Sequence, residues 1–326
     1  VVQNQLKIEI EQYLASQIPE QPRSLYDPVR SSIAFGGKRA RPILTALAAG
    51  IGTPPSDWLP GATAVELLHT FTLVHDDIMD NATLRRGKPA VHVAYGSNAA
   101  ILSGDVIIAL ATECLAQSTE AKSMIAEFSI GFRGVCEGQA LDKDFETRDD
   151  ITMSDYLTMI ELKTSRIFEL SAVLGAIAGG GVHREELRRY ARELGLAFQL
   201  QDDLLDLIGT PDFGKTIGGD ILEGKRTALF VLAMDRYNDC SNKERDLLDR
   251  LREHRATIED VAPIRELFKR LGVLETVAGM ISIHTNRAVE QLSIITDVEM
   301  REGLIDYSKQ LLGLAKADQA VIRASQ

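Results

Sequence analysis

Cysteine is scarce in this chain and does not group. Cys114, Cys136 and Cys240 are the three in 326 residues, an odd number at wide spacing with no Cys-x-x-Cys pair. That excludes a disulfide framework and a thiolate zinc site, and makes a reducing compartment the default expectation. A basic excess is missing too. Thirty-six Lys and Arg face 47 Asp and Glu, for a formal net charge of -11, so broad attraction to nucleic acid or an anionic membrane is not expected. Any anionic ligand must be held locally, by a few basic side chains or by metal ions. Long apolar runs are also absent. The longest, Ala172 to Val182, is far below a spanning length, and the opening VVQNQLKIEIEQYLASQ mixes charge into every turn with no signal-peptide core. The expectation is a cytoplasmic, water-soluble protein with no transmembrane segment and no nucleic-acid partner.

Alternating strand-like runs are almost absent, whereas apolar residues recur at three and four positions over long windows. The fold class is therefore all-α. Helices are expected over about 3–16, 27–50, 60–82, 97–117, 121–145, 154–178, 183–208, 226–238, 242–253, 258–270, 272–296 and 299–323. No repeat or long linker divides the chain, which predicts a single helical domain over residues 1–326.

What is present is acid, in groups. Asp76-Asp77-Ile78-Met79-Asp80 ends a strongly apolar helical stretch, ATAVELLHTFTLVH. At about 100° per residue, Asp76 and Asp80 lie one turn and about 40° apart, on one side of the helix. A helix C-terminus is already partly negative, so three carboxylates there are unfavourable unless a cation binds. The pattern returns as Asp202-Asp203-Leu204-Leu205-Asp206, after LGLAFQLQ. Carboxylates about 4 Å apart repel by roughly 4 kcal/mol at an effective dielectric of 20, a cost that metal binding reverses. Either copy alone reads as a solvated helix end. Two copies embedded in apolar sequence point to a shared site. Hard oxygen donors suit Mg2+, which bridges carboxylates to phosphate oxygens, so a diphosphate-like ligand between two facing helices is expected.

Such a ligand needs cations, and they occur in short clusters: GGKRARP from Gly36, LRRGKP from Leu84, Lys163-Thr164, and Lys215 with Lys225 in the glycine-rich segment Gly209 to Thr227. Lys38 and Arg41, three apart on an expected helical turn, can converge on one phosphate. Arg85 and Arg86 would point to different sides and serve two ligands. His69 precedes Asp76 by seven residues, about 20° away on the same face, and reads equally as a core histidine. His75 points off that face.

GGKRARP, then ELLHTFTLVHDDIMD with LRRGKP, then EGQALD, KT, FQLQDDLLD and GKTIGGDILEGKRT, in that order over residues 27 to 230, resemble the trans-isoprenyl diphosphate synthases, or polyprenyl synthetases. The resemblance implies an isoprenoid synthase fold, a helical bundle around a central cavity, in a homodimeric enzyme. It implies a Mg2+ site at Asp76, Asp77, Asp80, Asp202 and Asp206, supported by Asp142. The allylic diphosphate would be held by Arg85, Lys163, Thr164, Gln199, Lys215 and Lys225, and isopentenyl diphosphate by Lys38, Arg41, His69 and Arg86. Asp76, Asp80, Asp202, Lys163 and Arg85 would carry catalysis. The implied reaction ionises dimethylallyl, geranyl or farnesyl diphosphate and joins the allylic cation to isopentenyl diphosphate, with Gly209 to Thr227 as a lid against water.

The first motif lacks the two-residue insertion of many bacterial members, and five residues before Asp76 stands Phe71, with Thr72 beside it. In the resembling family this implies a geranylgeranyl product, with farnesyl or longer polyprenyl diphosphates as alternatives. Ideal geometry places Thr72 about 40° and Phe71 about 140° from the Asp76 direction, so Phe71 reads equally as core, and Val65, Leu68 or the helix near Ser103 to Ala109 could set pocket depth. A terpene cyclase would share the ionisation but needs no second phosphate site. A non-catalytic subunit of a heteromeric synthase would have no use for intact aspartate motifs.

Overall fold

Local sequence rules account for where many helices start. Pro55 opens α4 with no amide hydrogen to waste. Reciprocal capping boxes, Thr152 with Asp155, Ser241 with Glu244 and Thr257 with Asp260, open α8, α13 and α14. The structure, a computed structural model, describes residues 2–34, 36–50, 52–209 and 217–313. In chain order the helices are α1 (Val2–Ser16), α2 (Arg23–Ile33), α3 (Ala40–Ala49), α4 (Pro55–Met79), α5 (Val91–Tyr95), α6 (Ser97–Ala116), α7 (Ala121–Phe145), α8 (Met153–Ile160), α9 (Arg166–Ala178), α10 (Arg184–Ile208), α11 (Gly219–Glu223), α12 (Ala228–Asp235), α13 (Asn242–Arg252), α14 (Ile258–Arg270), α15 (Val273–Gln291) and α16 (Val298–Leu312). The sheet among the described residues is one antiparallel pair, β1 (Leu84–Arg85) and β2 (Lys88–Pro89). The all-α expectation holds.

The chain divides into two compact units. Residues 1–132, 167–191 and 291–305 form one, and residues 133–166, 192–290 and 306–326 the other. In the first, α4 packs along α6 and α3 over a core that includes Trp58, Val65, Leu68, Ile107 and Leu115. In the second, Tyr156, Leu200, Leu204, Phe230 and Phe268 are buried.

Two expectations are corrected, and a third point concerns helix length. The helix expected over 27–50 is two helices, because Gly36 and Gly37 take φ of 69° and 143° and Arg39 takes 49°; Lys38 therefore precedes α3 and does not share a helical turn with Arg41. The helix expected over 154–178 is interrupted by a π-helical turn, Glu161–Ser165. Finally, α6 is long and apolar enough to cross a membrane by length and composition. It is nevertheless packed as a core helix, burying Ala100, Ser103, Gly104, Ile107, Ala111 and Leu115 while exposing Asp105 and Glu113.

Candidate active site

The first aspartate motif closes α4. Its middle acid, Asp77, is buried and accepts two hydrogen bonds from Arg85, one from Nε at 2.9 Å and a shorter one from Nη2. Asp76 and Asp80 are less buried, joined through the backbone where Asp80 N–H donates to the Asp76 carbonyl at 2.8 Å. Burial works against the Arg85 charge, but the bond to Asp77 and the charges of Asp77, Asp76 and Asp80 outweigh it and raise its pKa. The arginine is delivered by the tight β1–β2 hairpin, whose turn residues Arg86 and Gly87 both have positive φ, at 53° and 75°. As the sequence predicts, the two adjacent arginines diverge. Arg86 lies on the backbone of Gly37, where a Cβ would come within 2.6 Å of its Nη1.

In the same unit, Arg41 Nη1 is 3.2 Å from His69 Nε2, and the Arg41 guanidinium stacks 4.8 Å over the Phe168 ring. Desolvation, then the charges of Arg41, Arg86, Arg85 and Arg39, hold the His69 pKa well below the ordinary histidine range. A neutral His69 accepts the Arg41 hydrogen bond at Nε2 and adds no repulsion. Lys38 is exposed. Arg41 is therefore in contact with His69, and the charges of both Arg86 and Arg85 reach that histidine, while Arg85 is the one bonded to Asp77.

The second motif lies in the other unit, near the end of α10. Its middle acid is again turned inward. Asp203 is buried; the Tyr156 hydroxyl donates to Oδ2 and Gln199 Nε2 donates to Oδ1 at 2.9 Å. Gln199 in turn accepts from the Thr164 hydroxyl at 2.7 Å. Lys163 Nζ lies 2.6 Å from Asp142 Oδ2. Lys163 and Thr164 sit in the π turn, and the sequence around it makes room. A Cβ on Gly138 would lie 2.3 Å from the Lys163 nitrogen, and one on Gly195 would lie 2.6 Å from the Ser165 Cα. Single π turns of this kind occur where a helix re-aims side chains for function.

Asp206 Oδ2 accepts from the Asp220 N–H at 3.0 Å, and Lys225 pairs with Glu223 at 2.7 Å and Asp220 at 3.7 Å. Burial raises the Asp203 pKa to about 6; Tyr156 and Gln199 work against that shift, and Asp202 adds to it. Desolvation, then the charges of Asp206 and Asp203, hold Asp220 well above the usual carboxylate range, with Lys225 only partly offsetting them. The charges of Asp203 and Asp202, and of Asp220 with Asp206, Asp203 and Asp202, act on one another, and the donors these side chains offer are all hard oxygens. That donor set fits Mg2+. Among the described residues no group of three or more His, Cys, Asp or Glu is placed to hold a metal ion by itself; Mg2+ takes one or two carboxylates, keeps waters and completes its shell with substrate phosphates.

Of the residues expected to share a ligand, the structure brings Arg41 to His69 and Thr164 to Gln199; Asp142, expected to support the metal, is engaged by Lys163. Asp77, expected at the metal, is engaged by Arg85. Lys215, and with it much of the expected lid, lies outside the described residues. Phe71 stands 4.4 Å from the His75 ring and edge-on to Phe132 at 5.3 Å, and the Thr72 hydroxyl donates to the His69 carbonyl at 2.8 Å. Sequence reasoning missed Arg39, Tyr156 and Asp220. Arg39 had a signal in its place between Lys38 and Arg41, and Asp220 in its glycine-flanked position, whereas nothing in the local pattern marks Tyr156.

A profile described as polyprenyl synthetase matches residues 22–268, a span that takes in both aspartate motifs and every basic cluster above. The chain belongs to the polyprenyl synthetase family. This polyprenyl synthetase is 39% identical over 290 residues to a short chain isoprenyl diphosphate synthase of Methanothermobacter thermautotrophicus, covering 87% of this chain and 88% of that one. It is 36% identical over 299 residues to a geranylgeranyl diphosphate synthase of Methanosarcina mazei, covering 89% and 90%. A crystal structure of a Caulobacter crescentus polyprenyl synthase, complexed with calcium and isoprenyl diphosphate, superposes with a TM-score of 0.87 at 30% identity and covers 95% of each chain. The polyprenyl synthetase described here is a prenyltransferase with the isoprenoid synthase fold.

Proposed function

We propose that this chain acts as one functional domain over residues 1–326, in which both aspartate motifs serve one allylic diphosphate and condense it with isopentenyl diphosphate to a short-chain all-trans product, geranylgeranyl diphosphate. The observation that carries the reading is the second cationic group. Arg85 is bonded to Asp77 of the first aspartate motif, while Arg41 stands at His69 and Arg86 against Gly37, and in this reading these further basic groups provide the additional phosphate site that a cyclase does not need.

In this reading Lys163, Thr164, Gln199, Lys215 and Lys225 bind the allylic diphosphate, and Asp142 holds Lys163 in place. Mg2+, held by Asp76, Asp80, Asp202 and Asp206 with Asp77 and Asp142 in support, would neutralise charge building on the departing diphosphate and so favour cleavage of the allylic C–O bond. Lys163 and Arg85 add fixed positive charge that need not reorganise as the bond breaks. Lys38, Arg41, His69 and Arg86 hold isopentenyl diphosphate with its double bond near the allylic cation. The double bond supplies the electron pair for the new C–C bond, and the proton then lost passes to the released diphosphate. Because water would trap the cation, apolar walls matter as much as charge.

Phe71, edge-on to Phe132 and beside His75, is the group we assign to the floor of the elongation pocket, with Thr72 next to it. This favours geranylgeranyl over longer products. Dimethylallyl, geranyl and farnesyl diphosphates are the primers to compare. The reading includes a homodimer, supported by the exposed apolar side chains Ile101, Leu102 and Ile130 on α6 and α7, and a cytoplasmic location, supported by few and ungrouped cysteines.

Labelled isopentenyl diphosphate, each primer and Mg2+, followed by chromatographic sizing, tests this reading in wild type and Phe71→Ala. Geranylgeranyl diphosphate from wild type and longer chains from the variant are expected. A cyclic hydrocarbon formed without isopentenyl diphosphate would contradict the condensation, and an unchanged product in Phe71→Ala would remove Phe71 from the pocket floor.

A further inference from the structure

GGKRARP carries three basic residues, and the reading above gives no task to the middle one. Arg39 is also the most hidden of them, with 6% of its side chain exposed. Its backbone is left-handed, φ 49° and ψ 37°, at the N-cap of α3. A non-glycine residue rarely holds that conformation unless its surroundings over-determine it. Here the guanidinium supplies the constraint. Nη1 donates to Glu66 Oε1 on α4 at 2.5 Å, Nη2 to the Ile33 carbonyl at the end of α2 at 3.0 Å, and Nε to Glu11 Oε1 on α1 at 3.2 Å. One side chain therefore fastens the turn to three helices.

We propose that Arg39 is the positioning residue of the isopentenyl diphosphate site: its pairing with Glu66 sets the turn that presents Lys38 and Arg41 and cancels a carboxylate that would otherwise face the incoming diphosphate. The inference rests on the reading that Lys38, Arg41, His69 and Arg86 bind isopentenyl diphosphate. Two links support it. Glu66 stands three residues before His69 on α4, on the same side of the helix, so the Arg39 tie references the turn to the helix that carries the histidine. Glu66 is also buried and its charge acts on Arg86. Unpaired, it would sit among the phosphate-binding groups as a desolvated negative charge. The hydrogen bonds of Arg39 all go to Glu66, Glu11 and the Ile33 carbonyl, so it acts through its neighbours. Arginine is required because three donors in one rigid plane must be met at once, which an ammonium cannot do.

The test is steady-state kinetics on Arg39→Gln, Arg39→Lys and the double variant Arg39→Gln/Glu66→Gln, with Lys38→Ala and Arg41→Ala as references and circular dichroism as the check on folding. Arg39→Gln is expected to raise KM for isopentenyl diphosphate about tenfold or more and leave KM for the allylic substrate within about twofold. Arg39→Lys should also raise it, and removing Glu66's charge in the double variant should restore part of the loss. A folded Arg39→Gln with an unchanged isopentenyl KM, or with both KM values raised in step, overturns the proposal. If Arg39→Gln does not fold, Arg39→Lys decides by the same criterion. Should Lys38→Ala and Arg41→Ala leave the isopentenyl KM untouched, the site assignment itself fails; a rise in those two with none in the Arg39 variants defeats this inference alone.

Discussion

His69 takes the charge of four arginines, Arg41, Arg86, Arg85 and Arg39, and is desolvated as well. Both effects disfavour the imidazolium, so the native pKa lies below the roughly 6.5 of an unfolded histidine. Between those two values the unfolded chain binds a proton that the native protein refuses, and stability there rises with pH. The contribution is whole above about pH 6.5 and is lost as pH falls through the window beneath it. A melting-temperature profile from pH 7.5 to 5.5 should therefore decline, and His69→Gln should remove part of that decline; parallel profiles for the two proteins would contradict a neutral His69. The same residue-scale economy governs the acids. In each motif the middle carboxylate is committed to a protein donor, Asp77 to Arg85 and Asp203 to Tyr156 and Gln199.

Among the elements, the π turn places Lys163 and Thr164, which the proposed function assigns to the allylic diphosphate, where regular α-helical geometry would not. It depends on two neighbours without side chains. Gly138→Ala would drive a methyl group against the Lys163 backbone, and kcat/KM should fall about tenfold or more, mainly through the allylic substrate. Gly279, on α15, has open space at its Cβ position, so Gly279→Ala should leave kinetics unchanged and stabilise by about 0.5–1 kcal/mol through helix propensity. Equal effects of the two substitutions would show that the π turn carries no special burden. This scale also shows what the sequence made legible. Apolar recurrence located most helices, and α7 falls on the residues expected, since side-chain pattern and helical period are the same information. The break between α2 and α3 carries a local mark in Gly36-Gly37, but the left-handed turn at Arg39, held by Glu11, Ile33 and Glu66, does not show in the apolar period. The π turn was hidden for the same reason: its cause lies in Gly138 and Gly195, more than twenty residues away on either side. The aspartate motifs were visible because their residue types are improbable in apolar helices. The inward turn of Asp77 and Asp203 needed coordinates.

For the molecule as a whole, a net charge of -11 sets the problem of binding two diphosphates to an acidic protein. In the proposed function, clustering of a few guanidinium and ammonium groups answers it on the cationic side, and the two acid motifs, recruiting divalent cations, answer it on the other. The proposed homodimer belongs to this scale as well. Leu102 is 56% exposed on the apolar helix α6, and Leu102→Asp should shift the protein to monomer in sedimentation velocity if that face is the interface. An unchanged sedimentation coefficient would place the interface elsewhere. The central claim, that the acidic ends of α4 and α10 act on one substrate, is tested most directly by the single-turnover condensation rate of Asp76→Ala and Asp202→Ala at saturating Mg2+, with circular dichroism confirming helical content. Each substitution alone should reduce the rate by about a hundredfold or more with the helical signal intact. A folded variant of either kind that still condenses at close to the wild-type rate would contradict the account.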